Sequence, residues 1–211
     1  MYYLRILPGA EAEYDRRHKA IWPELAQEIR ESGFSNMSGF RRGTDVWYYQ
    51  EAEPDTKTAF AMLNLKPANR RWDRFFRDVI AEVAASNDEL LWYKETFHGD
   101  GLSLKGACER GLFGYVIDPD RGGDYDAIYA EYWPAVSPHI LDAGLRNYSG
   151  FRRGAHAVHY GEFFPDMATV FERLGSLDRC IRWTRALDGI ITTVTTADNQ
   201  LITADEVFHQ D

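Results

Sequence analysis

Three side chains near the start of the chain have the types and the spacing to move protons beside an aromatic wall. Tyr14, His18 and Trp22 follow one another at intervals of four residues, so a helix over this stretch places them on one side of two turns. Imidazole is the side chain whose ordinary pKa suits acid–base chemistry near neutral pH. The pattern therefore predicts an acid–base face, although a surface histidine beside core aromatic residues has the same spacing.

An internal duplication organises the whole chain. Tyr14 recurs 111 positions later as Tyr125, and the same offset places Tyr129 at the position that corresponds to His18. One offset serves the full length without a gap, and the matching segments include 38–43 with 149–154, 54–55 with 165–166, and 97–98 with 208–209. We therefore expect a first repeat at 1–98, a glycine-containing linker at 99–111 and a second repeat at 112–211.

Each repeat contains the signals of a strand, a helix, two strands, a helix and a strand. Pro23 predicts a kink or a new helical start. The order βαββαβ is that of the ferredoxin-like fold, an α+β class with an antiparallel sheet covered by helices on one face. Packing the two sheets against each other would cover the other faces and form an intrachain pseudo-dimeric α/β barrel. In the first repeat, strands are expected at 2–7, 36–41, 46–51 and 90–97, and helices at 10–32 and 54–85 with a break near Pro67.

The composition favours a globular protein that binds a small molecule. The net charge of −9 over 211 residues argues against a nucleic-acid partner, because phosphate binding needs a basic surface. Aromatic residues make up 14% of the chain, which suits stacking against a ring-shaped ligand. The two cysteines form no disulfide pattern, the N-terminus predicts a strand and not a signal peptide, and no apolar segment is long enough to span a bilayer. We therefore expect a cytoplasmic protein without a membrane partner.

The segment 13–25, EYDRRHKAIWPEL, closely resembles the signature of the L-rhamnose mutarotase family. The resemblance implies a dimeric α/β barrel that interconverts the two anomers of L-rhamnose without a metal or an organic cofactor. It also implies that His18 transfers the proton, that Tyr14 binds the sugar and that Trp72 begins a sugar-binding pair of tryptophans. Segments that are similar to later motifs of the family are 33–37, 71–72 and 206–209.

Several positions depart from the family pattern. The family's tyrosine after the asparagine is Met37 in the first repeat and Tyr148 in the second, and the second tryptophan of the pair is Asp73 in the first repeat and Thr184 in the second. Asp73 adds a carboxylate that could serve as a second acid–base group. Tyr129, at the histidine position, is either a degenerate position, a binding residue or a replacement acid. We expect the first repeat to hold the main site and the second to act mostly as scaffold.

The residues expected to do chemistry are His18, Tyr14 and Asp73. Core packing is the alternative for the aromatic candidates, and it is favoured for Trp22, which has a counterpart in the second repeat. A solvated charge at a hairpin turn is the favoured alternative for Arg41, whose functional role would be an anion clamp. No group of histidine, cysteine and carboxylate residues has the spacing of a metal site. The residues expected to bind substrate are Trp22, Met37, Arg41, Trp72, Tyr125, Tyr129, Tyr148 and Trp183.

These features predict a cofactor-free isomerase that acts on a sugar-like or other small cyclic substrate. Mutarotation requires one proton to leave the anomeric hydroxyl and another to reach the ring oxygen, and an imidazole with a neighbouring phenol or carboxylate could supply both transfers. Two alternatives stay open. One is an enzyme of another class on the same fold, performing cyclisation, isomerisation or oxidation in secondary metabolism, and the other is a binding module without catalysis. The two repeats are expected to pair within the chain, and further homo-oligomers stay open.

Overall fold

The chain forms two compact α+β units. The first unit comprises Met1–Trp92 and Asp205–Asp211, and the second comprises Tyr93–Ala204. Both contain antiparallel strands and helices in the predicted order, which confirms the ferredoxin-like α+β class. None of the helices within the described ranges combines the length and the apolar character needed to cross a membrane. The computed structural model describes residues 1–83, 90–99, 108–194 and 202–211.

Up to Trp92, the described residues of the first unit form nine elements. In chain order they are β1 (Tyr2–Ile6), α1 (Glu11–His18), α2 (Pro23–Glu31), β2 (Phe34–Arg42), β3 (Asp45–Ala52), α3 (Thr56–Leu63), α4 (Pro67–Phe76), β4 (Ile80–Glu82) and β5 (Leu91–Trp92). β3 pairs antiparallel with both β1 and β2, and its Tyr48 lies opposite Tyr2 of β1. β1 also pairs with the two short strands β4 and β5.

The second unit repeats this arrangement. Its elements are β6 (Lys94–His98), β7 (Glu109–Ile117), a 3-10 turn at Pro119–Arg121, α5 (Gly122–Ala143), β8 (Leu145–Arg153), β9 (His156–Phe163), α6 (Met167–Gly175), α7 (Asp178–Ala186) and β10 (Ile191–Thr193). β9 pairs with β7 and β8, as β3 pairs with β1 and β2. β7 begins at Glu109, inside the predicted linker 99–111, of which residues 100–107 lie outside the described residues.

The terminal strand of each repeat belongs to the unit that the other repeat forms. β6 ends the first repeat but pairs with β8, with His98 opposite Ser149. β11 (Thr203–Gln210) ends the second repeat. Its first two residues pair with β7, whereas the remainder pairs with β2 of the first unit. The boundaries of the compact units therefore differ from the boundaries of the sequence repeats.

Pro23 begins a new helix, which is one of the two outcomes predicted for it. The preceding Trp22 has an extended backbone, with φ −70° and ψ 134°, as is usual before proline. Pro23 occupies the first helical position, where its missing N–H is not needed. The predicted helix 10–32 is therefore two helices, since α1 ends at His18. The equivalent Pro134 in the second repeat lies inside the unbroken α5.

The second helical region of the first repeat is shorter than predicted. The expected helix extended to residue 85, but α4 ends at Phe76 and Ile80–Glu82 form the strand β4. The reason is tertiary, because Ile80 pairs with the fully buried Ile6 of β1 and Glu82 pairs with Arg5. Residues 84 and 85 lie outside the described residues.

A bulge in β2 and another in β8 bring the residues after the asparagines into the two cores. Asn36 and Asn147 have φ angles of 46° and 47°, a left-handed conformation that asparagine tolerates better than most residues. The pairing register with the neighbouring strand shifts at both places. The next side chains, Met37 and Tyr148, are buried in the cores of their units.

We expect Gly150→Ala to destabilise the second unit, because a Cβ at this position would overlap the ring of Phe97 on β6. Overpacking of this kind costs about 1–3 kcal/mol. Urea titrations followed by far-UV circular dichroism would measure the change in the free energy of unfolding. Gly123→Ala is the matched control, since nothing lies within 4 Å of a Cβ there. An equal loss of stability in both variants would contradict the position of β6 beside β8.

Candidate active site

His18 is the last residue of α1 and is only 5% exposed. Its Nδ1 lies 3.1 Å from the carbonyl oxygen of Tyr14, and its Nε2 lies 2.5 Å from the phenol oxygen of Tyr48. A carbonyl oxygen can only accept a hydrogen bond, so Nδ1 carries the proton and Nε2 is the basic nitrogen. Tyr48 must then donate its O–H to Nε2. The backbone of α1 thus fixes the tautomer of the imidazole.

A second phenol extends this hydrogen bond into a directed chain. The phenol oxygens of Tyr14 and Tyr48 lie 2.5 Å apart. Because Tyr48 donates its proton to His18, Tyr14 must donate to Tyr48. The resulting order, from Tyr14 through Tyr48 to His18, is a path along which protons can shift by one position. Tyr14 was predicted for this site, whereas Tyr48, which comes from β3, was not.

Aromatic rings surround the His18 imidazole. Phe76, Trp72 and Phe208 lie with their ring centroids 4.5 Å, 5.5 Å and 5.9 Å from the imidazole, all edge to face. Tyr2 stacks on Tyr48 at 4.8 Å with an angle of 8° between the ring planes. The rings around the imidazole thus come from α4 and from the exchanged strand β11, whereas the helical spacing predicted Trp22, which lies beyond the end of α1 and contacts Trp72 instead.

The ionisable groups of this cluster are held in their neutral forms. Burial lowers the pKa of His18 to about 4, because an imidazolium loses its hydration there. Burial likewise raises the pKa values of Tyr2, Tyr14 and Tyr48 well above their ordinary range. At neutral pH the cluster is therefore an uncharged set of proton donors and acceptors.

Asp73 lies on α4, directly after Trp72, and its side chain is exposed. Surrounding protein atoms nevertheless raise the pKa of this carboxyl by desolvation. The pKa of Tyr2 is raised mainly by burial, then by Tyr48, and then by the negative charge of Asp73. Its side-chain contact is a long one, 3.5 Å from Nδ2 of Asn69. Asp73 therefore lies at the solvent-facing rim on the Tyr2 side, where it makes no hydrogen bond to His18.

Trp22 and Arg41 have structural partners. Trp22 is half-buried, and its ring lies 5.2 Å from that of Trp72, so it supports the wall from outside α1. Nε and Nη2 of Arg41 donate to the two carboxylate oxygens of Asp15 at 2.7 Å and 2.6 Å, and Nη1 donates to the Gly43 carbonyl. The guanidinium predicted as an anion clamp is thus engaged in an internal ion pair. Met37 is a buried core residue.

Gln50 is a polar residue of the first unit that the sequence analysis did not select. Its side chain is buried, and neither its amide nitrogen nor its amide oxygen has a hydrogen-bond partner among the described residues. It follows Tyr48 by two positions on β3, so both side chains lie on the same face of the strand. A buried amide without partners is costly, about 1–3 kcal/mol, and a bound hydroxyl group would relieve that cost.

The candidates of the second repeat surround a histidine that was not predicted. His159 of β9 is fully buried, and burial lowers its pKa to about 3. Its Nε2 lies 2.8 Å from the phenol oxygen of Tyr125 and 3.4 Å from that of Tyr129, and its Nδ1 lies 3.0 Å from that of Tyr148. Trp183 packs edge to face on Tyr129 at 4.9 Å. The structure thus brings these four predicted residues together.

The sequence did contain a signal for the two missed residues. The offset of the duplication aligns Tyr48 with His159, and it aligns His18 with Tyr129. The repeats therefore exchange an imidazole and a phenol between a helix position and a strand position. Among the residues that the structure describes, no three His, Cys, Asp or Glu side chains form a group that could hold a metal.

Both repeats are similar in sequence to proteins that are named L-rhamnose mutarotase. A sequence model of the family described as L-rhamnose mutarotase matches residues 1–98 and 112–210. The L-rhamnose mutarotase of Opitutus terrae is 29% identical over 99 residues, which are 47% of this chain and 95% of that protein. The L-rhamnose mutarotase of Burkholderia orbicola is 36% identical over 90 residues, which are 43% of this chain and 67% of that protein.

Two solved structures share the fold over almost the full length. One, from Fusobacterium nucleatum and described as a candidate monooxygenase, superposes with a TM-score of 0.59 at 10% identity and covers 100% of this chain and 92% of its own. Another candidate monooxygenase, from Lactobacillus acidophilus, superposes with a TM-score of 0.61 at 8% identity and covers 99% and 92%. At these identities the likeness concerns the fold alone.

We expect the protein to lose stability as the pH falls from 7 to 5, in part through His18. In the unfolded chain this imidazole takes up a proton near its ordinary pKa of 6.5, whereas in the folded chain it does so only near 4. Protons therefore favour the unfolded state between these values, and the loss from one such histidine is about 2 kcal/mol by pH 5.

The measurement is the difference in the free energy of unfolding between pH 7 and pH 5, from urea titrations of wild type and His18→Asn. The variant should show a smaller difference than wild type. His156→Asn, which removes an exposed histidine, should behave as wild type. The burial argument is wrong if the two variants have the same pH dependence.

Proposed function

The chain belongs to the L-rhamnose mutarotase family, and we propose that it interconverts the anomers of L-rhamnose or a related cyclic sugar without a cofactor. The relatives named L-rhamnose mutarotase support an isomerase. The observation that carries the proposal is the buried chain of hydrogen bonds from Tyr14 through Tyr48 to His18. It supplies a neutral base whose tautomer is already set, at the centre of an aromatic wall.

Ring opening breaks the bond between the anomeric carbon and the ring oxygen. The anomeric hydroxyl gives its proton to the phenol oxygen of Tyr48 while Tyr48 gives its own proton to Nε2 of His18. The ring oxygen takes a proton from a second acid, for which the candidate is a water molecule hydrogen-bonded to the exposed Asp73 carboxylate at the rim. Rotation of the open-chain aldehyde presents its other face, and closure returns each proton to its donor.

The neutral state of the site suits an uncharged sugar. The pKa of His18 is lowered and that of Tyr48 is raised. Both side chains are therefore uncharged at neutral pH. The indole of Trp72 offers an apolar surface for one face of a sugar ring. The unpartnered amide of Gln50 can both donate to and accept from sugar hydroxyls.

The departures from the family pattern bear on the substrate and not on the base. Asp73 at the rim can accept a hydrogen bond from a substituent that an indole could not bind, and Met37 offers no hydroxyl to the first unit. We therefore propose L-rhamnose as the first substrate to test and related aldoses as the second group. An aminosugar is a useful third, since a carboxylate favours a cationic substituent.

Saturation-transfer NMR on L-rhamnose should show faster exchange between the anomers in the presence of the wild-type protein. His18→Asn should lower the rate of exchange at the first unit by about 10²–10⁴-fold, the usual contribution of a positioned acid–base group. His156→Asn is the control and should retain the wild-type rate. Failure of every sugar to respond would remove the proposal and favour another reaction class or a binding module.

We expect Tyr48→Phe to lower kcat at the first unit with little change in KM. Phenylalanine keeps the ring that stacks on Tyr2 but removes the hydroxyl that links Tyr14 to Nε2 of His18. Full kinetics against sugar concentration would separate the two parameters, with Tyr48→Phe compared with its parent in chains that also carry His159→Asn. A variant with unchanged kcat would show that protons do not pass through this phenol.

A further inference from the structure

The second unit contains its own imidazole, supplied from the sheet instead of the helix. At the positions of Tyr14, His18 and Tyr48, the second repeat has Tyr125, Tyr129 and His159. The set of side chains is the same in both units, two phenols and one imidazole, although the histidine position of the helix is occupied by a tyrosine. The second unit therefore keeps the types of side chain from which the first unit builds its proton path.

The hydrogen bonds of His159 differ from those of His18 in one chemical respect. Both nitrogens of His159 face phenol oxygens, with Tyr148 at 3.0 Å from Nδ1 and Tyr125 at 2.8 Å from Nε2. A hydroxyl can donate or accept, so neither nitrogen is forced to carry the proton. His18, by contrast, is held in one tautomer by the Tyr14 carbonyl. His159 can therefore take a proton on one nitrogen and release one from the other.

Beside this cluster lies a buried hydrogen-bond donor that has no acceptor. The indole nitrogen of Trp183 is buried and has no hydrogen-bond partner among the residues described, and the whole side chain is 8% exposed. Trp183 packs directly on Tyr129, with the ring centroids 4.9 Å apart. A buried N–H without an acceptor destabilises the folded protein. A hydroxyl or ring oxygen of a bound molecule would supply the missing acceptor.

We propose that the second unit is a second catalytic site for a neutral cyclic hemiacetal, in which His159 relays protons between phenols on its two nitrogens. The proposal rests on the reaction proposed for the first unit. The anomeric hydroxyl gives its proton to the Tyr148 oxygen, and Tyr148 gives its own to Nδ1. Nε2 gives its proton to Tyr125, which lies 2.8 Å away, and Tyr125 protonates the ring oxygen. The bond from the anomeric carbon to the ring oxygen breaks, and the imidazole is left in its other tautomer.

The two sites would differ in the substituents that they accept. Thr184 occupies the position of Asp73, and its hydroxyl donates to the Cys180 carbonyl at 3.0 Å. The second site therefore has no carboxylate at this position and gains the Tyr148 hydroxyl where the first has Met37. The second site thus serves uncharged sugars, whereas the first site also accepts a cationic substituent.

The test uses the full chain with His18→Asn, His159→Asn and both substitutions, measured by saturation-transfer NMR on L-rhamnose and on an aminosugar. His18→Asn should retain part of the acceleration of anomer exchange on the neutral sugar. In the double variant, the remaining rate of exchange should be about 10²-fold lower than in His18→Asn. If His18→Asn leaves no acceleration while wild type is active, this inference is wrong and the function of the first unit stands. If wild type accelerates no sugar, the reaction assigned to both units is wrong.

If His159→Asn does not fold, a more conservative variant can still test the proposal. In the His18→Asn background, Tyr148→Phe keeps the buried ring and removes the hydroxyl on Nδ1, so the residual kcat should fall while KM changes little. Tyr160→Phe, which removes a buried hydroxyl that bonds Glu162, is the matched control and should leave the residual kcat unchanged. Equal rates in these two variants would overturn the relay.

Discussion

A buried imidazole needs a partner for each of its two nitrogens, and this requirement links helix to sheet in both units. In the first unit the partners are the carbonyl of Tyr14 on α1 and the hydroxyl of Tyr48 on β3. Both side chains are buried, so any displacement of the helix along the sheet would leave a polar atom unpaired. The contact that positions the proton-transfer group is thus also a contact that fixes the helix register.

Histidine and tyrosine exchange positions between the two repeats, and each unit thereby keeps a buried imidazole with hydrogen-bond partners. A tyrosine at the helix position with the tyrosine retained on the strand would place phenols together and leave the cluster without an imidazole. Moving the imidazole to β9 keeps one ring of each kind at the contact between helix and sheet, and Tyr125 keeps its bond to the basic centre. What the second unit loses is the carbonyl that selects a tautomer.

Much of the fold could be predicted from the sequence because its signals are local or periodic. The constant offset of the duplication, the order of elements and the interruption at Pro23 all came from such patterns. The end of α4 and the strand β4 could not, because Ile80 becomes a strand residue only through its pairing with β1. The swap of the terminal strands likewise leaves no trace in hydrophobic period or turn residues.

Some residues of the candidate site could likewise be predicted from the sequence, and others could not. Tyr14 and His18 lie in the segment 13–25, and Trp72 lies in the segment 71–72, both of which resemble motifs of the family. The rings of these three residues do lie together. Tyr48 and His159 are distant in sequence from the residues they contact, so helical spacing could not select them. Arg41 was assigned by residue type alone, and the nearby carboxylate of Asp15 that engages it is visible only in three dimensions.

The position of Asp205–Asp211 in the first unit has a consequence for biosynthesis. The ribosome makes residues 1–92 of this unit before the second unit, so the edge of β2 lacks its neighbour until β11 emerges. Phe208, which packs beside the His18 ring, is made 190 residues after His18. The nascent chain must therefore keep that edge unpaired while the whole second unit is synthesised, and the His18 environment is completed only afterwards.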